Sequence, residues 1–488
     1  MLTDNSGVVT RPPAGRPAEL EKKFTLWSAF ALSVSDLSPI VGLYGVFALG
    51  LTMAGPAFWW AFPVVLAGQL LVTGVFGELV SRWPMQGSVY QWARQLIGPR
   101  FGWFTNWAYM WGLTLALAAL AYSASLYLAG ALGLSGQTAQ TLLAIGVVVF
   151  ASAANMSSGG ILKALLYISL ACEVVATLVM GTVLLFGEHS QSLSSLFSTA
   201  GTGHGMSWLT GPFLGVAAIV GWSFVGFESA GSIAEEVKDS RRVLPKAMTL
   251  SLLAVGLLVM YASFGILMSV PDLTAVMSGT VSDPIAGTLQ ARLGSATGRV
   301  LLALLAMGFT ASFMAVQTAV TRGIWASARD RSMPGARVLG RLSARQQLPV
   351  AAIVLTALVA AGLQLISASH LYSLLLTFAS AGFYLSYGLP VVAAAYVRLR
   401  GRWQPGPVSL GRWGAPVTYA AAVWIVLETV NIAWPRAVNG VWYLDWGLII
   451  MTAVLGLVGA VLCWWVSRSG RLEESSAVES PVPVSEHA

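Results

Sequence analysis

Glu228 stands in a hydrophobic stretch, Trp222-Ser223-Phe224-Val225-Gly226-Phe227-Glu228, and a charged run from Ala234-Glu235-Glu236 to Pro245 follows it. A carboxylate near the middle of a membrane helix costs roughly 2.5 to 3.5 kcal/mol on insertion scales, so it marks a solute or ion pathway unless intramembrane hydrogen bonds explain it. Two hydrophobic segments also carry helix breakers. One holds Ser38-Pro39-Ile40-Val41-Gly42 with Gly45 and Gly50 beyond, and the other holds Gly215, Gly221 and Gly226. A mid-helix proline removes a backbone bond at a cost of about 3 kcal/mol. Unwound backbone at membrane depth persists only where it is buried in protein or lines a cavity. The paired breaks therefore point to a binding site, although proline and glycine are also commoner in membrane helices generally. Asn106, Tyr109, Ser312, Gln317 and Tyr384 are further candidates to line that cavity, with helix–helix hydrogen bonding as the other role open to such side chains. Glu78 stands one turn before Arg82, a spacing suited to an i,i+4 ion pair.

The elements that must position these residues are membrane helices. The chain is 56% hydrophobic and 10% charged over 488 residues, where soluble domains carry about 25% charged. Twelve apolar stretches have roughly the length of a span. They lie near 25–50, 57–80, 102–131, 138–155, 161–186, 212–233, 245–269, 299–328, 348–366, 370–397, 415–434 and 443–466. With both termini in the cytoplasm, this order leaves only Arg292, Arg299 and Arg436 of the 27 basic residues on the outer side, as the positive-inside rule expects. The net charge of +7 is thus spread over many loops, which argues against nucleic-acid binding. The first stretch is too long for a signal peptide and is expected to be retained as a span. Cys172 and Cys463 both fall in spans and are read as packing residues, and the four histidines form no relay across the membrane. No P-loop, metal-ligand helix pair or nucleophile elbow is present, so neither cofactor nor metal is expected.

Several of these segments resemble the amino acid/polyamine/organocation permeases. Phe224-Val225-Gly226-Phe227-Glu228 with Ala234-Glu235-Glu236 and Lys238 to Pro245 resembles that superfamily's sixth-span signature, and Trp222 to Ala230 is similar to bacterial arginine/agmatine antiporters. Ala54-Gly55-Pro56 looks like the opening of span two. Glu78-Leu79 with Pro84, Gly87 and Tyr90-Gln91-Trp92-Ala93 looks like its end and the loop after it, in the form closest to the amino acid and choline branch. Ala328-Arg329-Asp330 with Pro334 resembles the motif after span eight. The resemblance covers roughly residues 24–466. It implies an all-α integral membrane protein of twelve transmembrane helices with a leucine-transporter-type 5+5 inverted repeat and discontinuous helices one and six. The core would occupy 25–397, with repeats at 25–186 and 212–397 separated by a Ser/Gly-rich outer loop. Helices eleven and twelve would fill 398–466, and disordered cytoplasmic tails 1–24 and 467–488.

The implied activity is secondary active transport of an amino acid or related amine across the cytoplasmic membrane, with protons as coupling ion and membrane lipid as surroundings. The implied substrate site takes in Asp36, Ser38, Pro39, Ile40, Val41 and Gly42 of span one, Asn106 of span three, Trp222, Ser223, Phe224, Val225, Gly226 and Glu228 of span six, and Ser312 of span eight. Relatives that grip a carboxylate have Gly-x-Gly where this chain has Pro39-Ile40-Val41. Proline has no N–H to offer, which favours a substrate lacking an α-carboxylate. Asp36, one turn earlier, either meets a substrate ammonium or caps the broken helix. Trp222 matches an aromatic that covers substrate in the antiporters, where cation–π contact is worth about 0.5 to 2 kcal/mol; packing is its other reading. Glu228 either serves the site or bonds span one. Glu173 falls at or beside a lysine that replaces the sodium site in proton-coupled relatives, so it is either the proton carrier or a buried bond to span one or eight. Exchange and a non-transporting nutrient sensor on the same scaffold stay open as alternatives; an enzyme is disfavoured. The motifs do not name the solute, and Glu428 in span eleven has no account.

Overall fold

The computed structural model describes residues 22 and 24–468 apart from 158, 188, 279, 282–283, 345, 366–370 and 437–441. The expected tails lie almost wholly outside the described residues, as do His370 and His487. The chain runs through α1 (Leu26–Leu37), α2 (Pro39–Tyr44), α3 (Phe47–Ala54), α4 (Ala61–Arg82), α5 (Val89–Leu96), α6 (Pro99–Leu132), α7 (Gln137–Met156) and α8 (Gly159–Phe186). Then come α9 (Gly205–Trp208), α10 (Leu214–Val220), α11 (Ser229–Ser232), α12 (Ser240–Ser269), α13 (Leu273–Met277), α14 (Pro284–Leu293) and α15 (Ser295–Arg329). The last are α16 (Ala336–Leu339), α17 (Val350–Leu365), α18 (Leu371–Leu399), α19 (Gly414–Ala433), α20 (Trp442–Asp445) and α21 (Gly447–Arg468). Among the described residues every regular element is helical, and one isolated parallel bridge joins Phe24 to Val237.

Among the described residues ten helical segments are long and apolar enough to cross a membrane, and Leu170–Phe186 and Val350–Leu365 are shorter apolar helices. Each of the expected apolar stretches overlaps one of these segments. The reason for helix is the solvent: in hydrocarbon every backbone donor and acceptor must be satisfied within the segment. The charged run after Glu228 precedes the stretch expected from 245, yet α12 begins at Ser240 with Asp239 at its N-cap and Pro245 well inside it.

Burial sorts the helices into centre and periphery. In the Leu26–Tyr44 span 83% of the apolar window is buried, against 17% in Gly447–Arg468, so α1 and α2 are central and α21 lies at the edge. α6 packs on α15 and α18, and α12 packs on α1, α4 and α8. The α6–α18 contact is backbone to backbone: a Cβ on Gly112 would meet the Gly382 Cα at 2.9 Å, and one on Gly382 would meet the Gly112 Cα at 2.5 Å. Such close approach is available to glycine alone.

Candidate functional site

Two interruptions meet at the centre. The first is one residue wide: Ser38 takes φ 41° and ψ 113°, and Pro39 starts α2 at the position where its missing N–H costs nothing. Pro39 through Gly42 are helical, and a further interruption follows at Gly45 and Val46. The α2 N-terminus is already occupied. Val41 N–H donates to Ser38 Oγ at 3.2 Å and Gly42 N–H to the Ser38 carbonyl at 2.9 Å.

The second interruption is wider. A 3₁₀ turn at Gly221–Phe224 ends α10, Val225 is extended, and Gly226 has φ +111° before α11 resumes at Ser229. Gly226 is required there twice over: its φ is left to glycine, and a Cβ would lie 2.8 Å from Asp36 Oδ1. Three hydrogen bonds stitch the breaks together. Ser223 Oγ donates to the Gly42 carbonyl at 2.6 Å, Ser33 Oγ to the Phe227 carbonyl at 3.0 Å, and Ala230 N–H to Ser33 Oγ at 3.2 Å.

The carboxylates have different surroundings. Glu228 is fully buried and accepts from the Tyr109 hydroxyl at 2.8 Å and from the Tyr387 hydroxyl, whose oxygen in turn accepts Gly226 N–H at 2.8 Å. Its bonds thus go to α6 and α18, which corrects the reading that tied it to span one. Asp36 is also buried, but its Oδ2 has no hydrogen-bond partner. It borders a cavity of about 10 Å³ together with Val41, Leu120, Trp222, Val225, Val316 and Phe383. That is about the room of a single water, so admitting an organic solute requires side chains to move. Trp222 is placed for this, its ring edge-on to Phe383 with centroids 6.1 Å apart. Ser312 Oγ is buried without a bonded partner.

Glu173, 1% exposed, accepts a 2.5 Å hydrogen bond from Ser38 Oγ, the residue at the first break. It also stands close to α15, where a Cβ on Gly308 would lie 3.3 Å from its Cγ. Other expected residues serve elsewhere. Asn106 Nδ2 donates to Ser327 Oγ at 2.6 Å and does not line the cavity. Gln317 bonds Ser152 and Asn155, joining α15 to α7, and Tyr384 accepts from Gln69 at 2.8 Å. Phe383 and Tyr387 were missed by sequence reading. No sequence signal separated them from the packing aromatics of the same apolar helix.

Away from the two breaks, charged side chains pair in a lattice. Arg94 pairs with Asp330 at 2.5 Å, Arg322 with Glu236 at 3.0 Å and Arg329 with Glu235 at 3.0 Å. Gln86 bonds Glu235 and Glu236, while Phe24 N–H donates to the Glu236 carbonyl at 2.9 Å. These residues come from segments read as cytoplasmic. Glu78 pairs with Arg398 and not with Arg82, which bonds Gln404, so the expected i,i+4 pair is corrected. Among the described residues no cluster of His, Cys, Asp and Glu could hold a metal ion.

The model of the family described as amino acid permease matches residues 24–456. The chain belongs to the amino acid permease family. The permease is similar to the amino-acid permease BAT1 of Arabidopsis thaliana, 24% identical over 95% of this chain and 94% of that protein. It is 26% identical to the choline transporter of Saccharomyces cerevisiae, over 88% of this chain and 78% of the yeast protein. The low-affinity putrescine importer PlaP of Escherichia coli is 25% identical over 70% of this chain and 74% of its own. With its many membrane-length helices the permease is a multi-pass membrane protein.

Proposed function

We propose that this permease is a secondary active transporter that moves an amine-bearing solute, an amino acid or related amine, across the cytoplasmic membrane by alternating access. Its twelve helices comprise a 5+5 inverted repeat and two added helices, with both termini in the cytoplasm. The observation that carries this reading is Asp36: a buried carboxylate with an unpartnered oxygen, beside an aromatic cavity where two broken helices touch. A charge held in a membrane interior needs a partner, and a substrate ammonium supplies one, with Trp222 as its cation–π cover. The bonded N–H groups of α2 leave little for an α-carboxylate, which favours amines such as the choline and putrescine that two relatives' names print.

Coupling is assigned to Glu173. Its bond to Ser38 at the first break links its protonation to the geometry of α1 and α2: a carboxylate accepts from that hydroxyl, and a protonated acid competes with it as donor. Uptake into liposomes of a labelled panel of amino acids and amines tests the whole reading, with and without an inward proton gradient and with and without solute inside. Gradient-driven accumulation into empty vesicles is expected. Uptake confined to preloaded vesicles would make the protein an exchanger, and binding without flux would make it a sensor.

A further inference from the structure

A cavity of about 600 Å³, far larger than the one at Asp36, opens where α3, α10 and α19 converge. Its walls are mainly apolar: Met53, Leu214, Leu427, Val430 and Trp434. Its polar side is formed by Asn431 and Arg436. Arg436 is half-buried and spends two N–H groups on its own helix end, reaching the Asn431 carbonyl at 2.9 Å and Asn431 Oδ1 at 2.5 Å. Among the described residues no carboxylate lies within ion-pair distance of it. Glu428, one turn from Asn431, keeps one oxygen buried and unbonded and with the other accepts from Asn431 Nδ2 at 3.2 Å. Burial pushes the Arg436 guanidinium down from its ordinary pKa and the charge of Glu428 holds it up, so an added anion would favour the charged form. The wall opposite Arg436 is irregular in backbone: Leu209–Phe213 forms a π-turn with Pro212 inside it, and Thr210, Gly211 and Pro212 face the cavity. π-Turns recur at functional sites because they widen a helix locally. The close neighbour of Arg436 on that side is Gly215, where a Cβ would lie 3.3 Å from its Nε.

We propose that this cavity is a second binding site, separate from the Asp36 site, for an amphipathic anion: its carboxylate or phosphate on Arg436, its apolar body on Leu214, Leu427, Val430 and Trp434. The volume lies within the range of about 300–1,000 Å³ usual for small-molecule sites, with the usual apolar wall and few polar anchors. The guanidinium suits carboxylate and phosphate alike. An occupant would bridge α10, which leads into Trp222, to the peripheral helix α19.

The test is thermal unfolding of the purified full-length protein in detergent, titrated with laurate or phosphatidylglycerol and with dodecanol and phosphatidylcholine as controls. Binding to the folded state raises the midpoint as ligand exceeds its Kd; a rise of about 2 °C or more is expected with at least one anionic probe and not with the controls. Two variants should abolish the rise: Arg436→Gln, which removes the anchor, and Val430→Trp, which fills the cavity and, since Val430 is 52% exposed, does so without disturbing the core. A rise with laurate alone identifies a free carboxylate as ligand, one with phosphatidylglycerol alone a lipid headgroup, and both support the site. No rise with either anionic probe, an equal rise with the controls, or a rise undiminished in both variants overturns it. Because nothing is transported in this measurement, its outcome is independent of the proposed transport function.

Discussion

Asp36 and Glu228 show how much a single carboxylate's neighbours decide. They flank the same glycine, yet Glu228 is held by two tyrosine hydroxyls and Asp36 keeps an oxygen unbonded. Glu228 is thus linked to Gly226 through Tyr387, and in the proposed function Asp36 is the group that meets a cation. Asp36→Asn should lower kcat/KM for amine uptake by about 10- to 150-fold, the equivalent of a charge-assisted hydrogen bond of about 1.5–3 kcal/mol, while leaving expression intact; unchanged uptake removes Asp36 from the site. Glu173→Gln should bind solute and exchange it while no longer accumulating it in response to an imposed pH gradient, and gradient-following uptake by this variant rules the carrier role out. At this scale the sequence was legible wherever a charge sat in an apolar run, because burying one is costly enough to be conspicuous. Asn106 misled for the opposite reason. A neutral amide in a membrane helix is equally at home as glue between helices, and it bonds Ser327. Phe383 gave no signal, since an aromatic in an apolar helix looks the same whether it packs or lines a cavity.

At the scale of elements, the positions of both breaks were readable and their forms were not. Proline at 39 signalled an interruption in the first span, but whether it unwinds a helix or starts one depends on the residue before it. Ser38 takes the strain, leaving Pro39 in a favourable first position. In the sixth span three glycines were candidates, and only Gly226 has positive φ. Gly226→Ala should cost about 1–3 kcal/mol in backbone strain and push against Asp36. The expected result is a lower unfolding midpoint together with a raised KM, and a variant that keeps both values would show that the second break tolerates ordinary backbone. Helix boundaries differ from the expected stretches at several ends, and at one the reason is plain: Ser240 to Leu244 is charged and precedes the stretch expected from 245, whereas a helix emerging from a membrane needs no apolar residues beyond it.

Across the whole molecule, four of the segments read as cytoplasmic meet in a single lattice. Arg94, Arg322 and Arg329 stand against Asp330, Glu236 and Glu235, with the backbone of Phe24 tied to the same loop. Breaking one partner of a buried pair leaves a charge uncompensated, typically at a cost of 3–5 kcal/mol. Glu236→Gln should therefore shift the protein toward a state open at that end. With Cys172 and Cys463 replaced by serine, a reporter cysteine made by Val41→Cys should react at least about tenfold faster with a thiol reagent added from the cytoplasmic side, as a shift of about 1.4 kcal/mol would produce; an unaltered rate would mean that the lattice does not seal the pathway. That loops far apart in the chain would form one lattice was hidden in the sequence, because orientation rules sort charges by side and not by partner. The touching backbones of Gly112 and Gly382 lie beside Tyr109 and Phe383, so they set the separation of the two helices whose tyrosines hold Glu228. No residue is smaller than glycine, so a replacement at either position has no compensating change at the other. Whatever else changes in descendants of this chain, they inherit that pair of positions without alternatives.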